Sequence, residues 1–116
     1  MESAAIVLGL AALGGVTLAG IRLSGTPRPP TWMALGHGAV AATGLVLLIY
    51  TVGSTTVPEL AQIATGVLVL AALGGAVLFL GFHLKEKPLP IPLVLGHGTI
   101  AATGYAMLLI AIYRPV

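Results

Sequence analysis

Four long apolar segments alternate with short polar or proline-rich breaks along the chain. The segments cover residues 3–23, 32–52, 59–84 and 91–113. Each is apolar over about 20 residues, which is the length that an α-helix needs to cross the hydrocarbon core of a bilayer. Strands of a membrane barrel would alternate apolar and polar residues, and these segments do not. The pattern therefore predicts four transmembrane helices.

Prolines and glycines mark the breaks between these segments. Residues 24–30 contain three prolines and residues 85–90 contain two. A proline removes a backbone donor and clashes with the preceding turn, so neither break continues as a helix. Residues 53–57 form a shorter polar turn, and Pro58 suits the first turn of a new helix. The first and third breaks then lie on one side of the membrane.

The composition strengthens the membrane interpretation. Of the 116 residues, 58% are hydrophobic and only 7% are charged, and the mean hydropathy is +1.10. In a soluble domain about a quarter of the residues are charged, so this chain has too few charged residues to form a polar shell. The net charge of +2 is too small to indicate nucleic-acid binding. The absence of cysteine excludes disulfides and thiolate metal sites.

The basic residues favour one orientation in the membrane. Arg22 and Arg28 belong to the first break and Lys85 and Lys87 to the third, whereas the second break has no basic residue. The positive-inside rule then places these two loops in the cytoplasm and both termini outside, with Arg114 as the single exception. The predicted location is the cytoplasmic membrane of a prokaryotic cell.

The two halves of the chain resemble each other with a period of 60 residues. The motif AALGG at 11–15 recurs at 71–75, LGHG at 35–38 recurs at 95–98, and AATG at 41–44 recurs at 101–104. Of the 47 residues from 4 to 50, 20 are identical to the residue sixty positions later. We predict one all-α membrane domain over 1–116, a four-helix bundle of two tandem two-helix repeats over 1–56 and 57–116. Repeats of equal orientation are related by a pseudo-two-fold axis along the membrane normal.

His37 and His97 occupy the same position in the two repeats. His37 follows Trp32 by five residues, so both rings are expected roughly 8 Å below the interface at 1.5 Å per residue. An ionisable side chain at this depth costs free energy and indicates a function. Two imidazoles that face each other at one level can bind the iron of a haem from its two sides.

The residues around the two histidines suit a flat ring. The positions four and seven residues after each histidine lie on its own helix face, where a leucine would occupy the volume of the cofactor. These positions are Ala41, Gly44, Ala101 and Gly104. At the same membrane face, Arg22, Arg28 and Lys85 are candidates to pair with the haem propionates. The sequence thus predicts a haem b site formed by these residues and the two histidines.

His83 does not share the repeat, because its counterpart in the first half is Leu23. It lies two residues before Lys85, and we interpret it as an interfacial histidine whose ring reaches toward the polar region. The alternatives are a third ligand beside His37 and His97 in a zinc or copper site, and a proton donor near a cofactor.

Paired histidines on two helices of a four-helix bundle resemble the architecture of membrane b-type cytochromes. They are also similar to the haem-carrying anchor subunits of succinate dehydrogenases and fumarate reductases. The resemblance covers His37, His97 and the nearby glycines. It implies an electron-transfer protein rather than an enzyme that converts a substrate. One haem at one depth cannot conduct across a hydrocarbon core of about 30 Å, so the expected exchange partner is a quinone or a redox partner subunit.

Other functions remain compatible with the same residues. Small residues at every fourth position, such as Ala34, Gly38 and Ala42, also mediate close helix packing without any cofactor. The chain is then a structural or assembly subunit of a larger membrane complex, and the same surfaces suit a homo-oligomer. A histidine-dependent transporter of a metal or small solute is a further hypothesis. A macrocycle other than haem, or a bare metal ion, also fits a histidine pair.

Overall fold

A computed structural model describes residues 1–114 of the chain. Within these residues it contains four long α-helices and no strand, namely α1 (Glu2–Leu23), α2 (Thr31–Ser54), α3 (Glu59–Leu78) and α4 (Ile91–Tyr113). A π-helical turn over Phe79–His83, here called the π-turn, continues α3. The prediction of an all-α fold with four helices is confirmed. Each helix, with the π-turn added to α3, is long and apolar enough to cross a membrane.

The helices form an elongated bundle in which consecutive helices are antiparallel. α1 and α3 each pack against both α2 and α4, so α2 and α4 lie diagonally opposite each other. The bundle measures 43 × 19 × 19 Å. Its long axis thus exceeds the hydrocarbon thickness of about 30 Å.

Leucines packed against glycines fill the half of the bundle in which α1 and α3 begin. Leu48 and Leu108 are fully buried there. A Cβ added to Gly44 would lie 2.8 Å from Leu8 Cγ, and one added to Gly104 would lie 2.9 Å from Leu68 Cγ. The helices of each hairpin approach this closely because the glycine has no side chain.

The outer surface of the bundle is apolar. Several large aliphatic side chains are more than half exposed, including Ile6, Leu13, Val16, Val46, Leu70 and Leu73. Soluble monomers rarely expose apolar surface on this scale. Such a surface suits contact with lipid.

Hydrogen bonds between two loops close the other end of the bundle. Loop 1 (24–30) joins α1 to α2, and loop 3 (84–90) joins the π-turn to α4. Arg22 Nε donates to the carbonyl of Leu89 at 2.8 Å, and the Leu89 N–H donates to the carbonyl of Pro27 at 3.1 Å. Arg28 donates to the carbonyl of His83 at 3.2 Å. The two hairpins are therefore tied together at this end.

Replacing Gly44 by alanine is expected to destabilise the bundle by about 1–3 kcal/mol, because the new methyl group overlaps Leu8. Gly104→Ala should have a similar effect through Leu68. Gly38→Ala is the matched control, since a Cβ there meets no atom within 4 Å. Thermal unfolding in detergent, followed by circular dichroism, measures the difference. Equal stability of Gly44→Ala and Gly38→Ala would contradict the close packing of α1 on α2.

Candidate functional site

The histidines of the two repeats meet at the centre of the bundle. His37 is the seventh residue of α2, and His97 is the seventh residue of α4. Their ring centroids lie 6.3 Å apart, and the ring planes are inclined by 83°. The structure therefore brings together the two residues on which the predicted site depends.

A backbone carbonyl of the neighbouring helix holds each ring. His37 Nδ1 lies 2.8 Å from the carbonyl oxygen of Ala11, and His97 Nδ1 lies 2.7 Å from that of Ala71. A carbonyl oxygen only accepts hydrogen bonds, so Nδ1 carries the hydrogen in both rings. In a neutral imidazole, Nε2 then keeps a free lone pair. This nitrogen is the one that can bind a metal.

The two imidazole rings pack against glycines on α1 and α3. A Cβ added to Gly15 would lie 3.0 Å from His37 Cε1, and one added to Gly75 would lie 3.1 Å from His97 Cε1. Any side chain at these positions would press on the ring. The repeated AALGG motif was the sequence signal for this contact. Its role was not predicted, because a sequence does not show which neighbouring ring a glycine faces.

The small residues predicted to border a cofactor lie beyond the histidines. Ala41 and Ala101, one turn further along, are half-buried. Gly44 and Gly104, nearly two turns along, are in contact with leucine side chains of the neighbouring helix. The space beside these two glycines is thus taken, and a flat ring would reach it only if the leucines moved.

The predicted basic residues lie at the loop end of the bundle. The guanidinium groups of Arg22 and Arg28 bind carbonyls of loop 3 and its π-turn, whereas Lys85 is exposed. Arg22 follows Gly15 by seven residues, so it lies on the same face of α1, about 10 Å nearer to the loops.

His83 lies apart from the histidine pair. Its side chain is 3% exposed, stacks on Phe79 with centroids 5.3 Å apart, and places Nε2 3.0 Å from the Thr31 hydroxyl. Thr31 precedes His37 by six residues, or about 9 Å along α2. The ring is therefore buried inside the protein, where the sequence suggested that it reaches outward. No cluster of three metal-ligating side chains occurs within residues 1–114.

Two shallow apolar grooves open on the outer surface beside the histidines. One, of about 280 Å³, lies between α1 and α2 and is lined in part by Gly14, Gly36 and His37. The other, of about 240 Å³, lies between α3 and α4 and is lined in part by Gly74, Gly96 and His97. Each ring is therefore accessible from the outer surface.

Comparisons with known proteins do not indicate a function. The chain matches no protein-family model, no curated protein sequence and no solved structure. The function must therefore be inferred from the geometry of the two histidines and of the residues around them.

The hydrogen bonds to Nδ1 can be tested by ¹⁵N NMR of the imidazole rings. In protein free of any cofactor, the neutral rings of His37 and His97 are expected to show a protonated Nδ1 and an unprotonated Nε2. Single His37→Gln and His97→Gln variants assign the signals, because each removes one of them. A hydrogen on Nε2 of the neutral ring at either position would contradict the bond to the helix carbonyl.

Proposed function

We propose that the protein is a small membrane cytochrome of the b type, which binds one haem between His37 and His97 and transfers electrons. The separation of the two rings carries this proposal. His37 and His97 would hold one iron between them if each offered its Nε2, which requires the two rings to lie close together at one level. The observed separation is 6.3 Å.

The hydrogen bonding of the rings is also that of metal ligands. A metal-bound histidine almost always donates its other N–H to a carbonyl, a carboxylate or a water, which fixes the tautomer and orients the ring. His37 and His97 donate Nδ1–H to Ala11 and Ala71. Both rings are therefore already in the tautomer that haem iron requires.

The helices beside the pair carry little side-chain volume at this level. A porphyrin bound to both rings would extend toward α1 and α3, which separate α2 from α4. At the level of the rings these helices carry Gly14, Gly15, Gly74 and Gly75, and the two imidazoles occupy the space in front of these glycines. A porphyrin would therefore fit between the rings only if α1 and α3 moved apart. Ala41 and Ala101 would border the ring further along, and Gly44 and Gly104 would join them after movement of the leucines that cover them.

The basic end of the bundle suits the haem carboxylates. Arg22 lies on the face of α1 that carries Gly15, and Arg28 and Lys85 belong to the same end. Charge-assisted hydrogen bonds from guanidinium groups to carboxylates are among the stronger ones in proteins. We therefore assign the propionate side of the haem to this end.

The haem supplies the one-electron chemistry when it is bound, and the chain supplies ligation, orientation and a dry environment. A single site at one level exchanges electrons at one face of the membrane. On this proposal the partner is a quinone or a redox subunit at the loop end. The positive-inside rule assigns that end to the cytoplasm and both termini to the outside.

A cofactor-free packing subunit is the second candidate. The contacts of Leu8 with Gly44 and of Leu68 with Gly104 complete one half of the core with protein side chains alone. On this proposal the two histidines only tie neighbouring helices together through their Nδ1 bonds.

An optical spectrum of the detergent-purified protein, oxidised and then reduced with dithionite, tests the cytochrome. We expect a Soret band that shifts on reduction and sharp α and β bands. His37→Ala and His97→Ala should each abolish the low-spin spectrum, because each removes one axial ligand. His83→Gln is the control and should retain it.

A colourless protein that stays colourless after haem is added would exclude the cytochrome. If it is also folded, and both alanine variants keep its partners, the packing subunit is supported. Metal binding or uptake that depends on His83 as well would instead indicate the transporter.

A further inference from the structure

Two half-buried guanidinium groups lie at the junction of loops 1 and 3. Arg22 donates from Nε to Leu89, and Leu89 in turn donates its N–H to Pro27, the residue before Arg28. Arg28 donates from one terminal nitrogen to the carbonyl of His83. Protein contacts therefore hold Arg22 against loop 3 and Arg28 against the π-turn. Each guanidinium has five N–H groups and uses one, so several donors remain on each.

Within residues 1–114, neither arginine forms a hydrogen bond with a carboxylate. The sequence has three acidic residues. Glu2 and Glu59 begin α1 and α3, at the opposite end of the bundle, and Glu86 is exposed on loop 3. Within residues 1–114, the hydrogen bonds of Arg22 and Arg28 go to backbone carbonyls. A half-buried cation without an anion is unfavourable, because part of its hydration has been lost.

We propose that Arg22 and Arg28 form a binding site for the phosphate of an anionic phospholipid. The proposal rests on the membrane insertion of the four helices, and it is an alternative to the assignment of these two arginines to the haem carboxylates. When the helices span a bilayer, the loop end lies at the level of the lipid headgroups, where phosphate oxygens are the abundant anions. Guanidinium groups bind phosphate through paired N–H donors. Anionic lipids also add a long-range attraction to basic residues near the surface.

The surroundings of the two arginines suit a lipid rather than a free anion. Leu23 and Leu84, which precede loop 1 and begin loop 3, are 50% and 54% exposed. Trp32, four residues after Arg28, is 75% exposed. Tryptophan and aliphatic side chains at this level contact the glycerol region and the upper acyl chains.

The site belongs to one repeat only. The positions sixty residues after Arg22 and Arg28 are Phe82 and Pro88. The second repeat therefore lacks the corresponding pair of arginines, and the site is not a consequence of the repeated packing.

Native mass spectrometry of the full chain, purified in detergent and mixed with phosphatidylglycerol or phosphatidylcholine, tests this site. We expect one tightly retained phosphatidylglycerol per chain and at least tenfold weaker retention of phosphatidylcholine. The double variant Arg22→Gln/Arg28→Gln should lose about tenfold in affinity for phosphatidylglycerol. The double variant Lys85→Gln/Lys87→Gln is the matched control. It removes the same charge at the same end from exposed side chains, and it should stay within about twofold.

Further measurements on the same samples separate the alternatives. Circular dichroism checks that the arginine variant is folded. If it is not, Arg22→Lys/Arg28→Lys takes its place, and intermediate retention is expected because the charge remains without the paired donors. Equal loss in the arginine and lysine variants would overturn the site in favour of diffuse attraction. Displacement of the lipid by millimolar inorganic phosphate would show a site for the free anion instead.

The haem content of these samples distinguishes this proposal from the cytochrome. Loss of haem with unchanged lipid retention would assign the two arginines to the haem carboxylates and overturn the lipid site. A protein that stays colourless after haem is added, and that retains the lipid through Arg22 and Arg28, would exclude the cytochrome and support the lipid site.

Discussion

The close approach of the two helices in each hairpin is the constraint on which the histidine site depends. Between helices in lipid there is little hydrophobic driving force, so association relies on packing and on hydrogen bonds. Gly15 lets the His37 ring lie against α1, within reach of the Ala11 carbonyl. That contact fixes the hydrogen on Nδ1 and leaves the lone pair on Nε2. The chemistry available to the ring thus follows from the absence of one side chain on the neighbouring helix.

The interfaces between the hairpins differ, although the hairpins share a plan. Tyr105 on α4 donates its hydroxyl hydrogen to the carbonyl of Ala5 on α1 at 2.9 Å. A Cβ on Gly9 would lie 2.6 Å from that hydroxyl, so the large side chain requires the glycine. Leu45 corresponds to Tyr105 and Val69 corresponds to Gly9, each in the opposite repeat. Two side chains of medium size thus stand where the first interface has a large side chain and a glycine. Tyr105 and Gly9 therefore make the interface between α1 and α4 different from its counterpart between α2 and α3.

Continuous apolarity and prolines were sufficient to predict the four helices, because both act locally along the chain. The predicted segment 91–113 coincides with α4. The π-turn was not predicted, since Phe79, Leu80 and Phe82 continue the apolar segment of α3 and no residue type marks a change of winding. The covering of Gly44 was not predicted either. Periodicity shows which face of a helix is small, whereas the side chain that fills the space comes from a helix about forty residues away in sequence.

The second nitrogen of each ring is free to bind a ligand. No buried side-chain nitrogen or oxygen lacks a partner within residues 1–114, so the Nε2 atoms of His37 and His97 reach the surface of the protein, where a ligand can approach them. Within residues 1–114, the hydrogen bonds of both rings involve Nδ1 only, and the grooves beside them are lined mainly by apolar residues. Equivalent carbonyls hold the two rings at one level. The free lone pairs on their Nε2 atoms suit a metal centre that accepts from both. The haem proposed between them would satisfy both nitrogens with a single group.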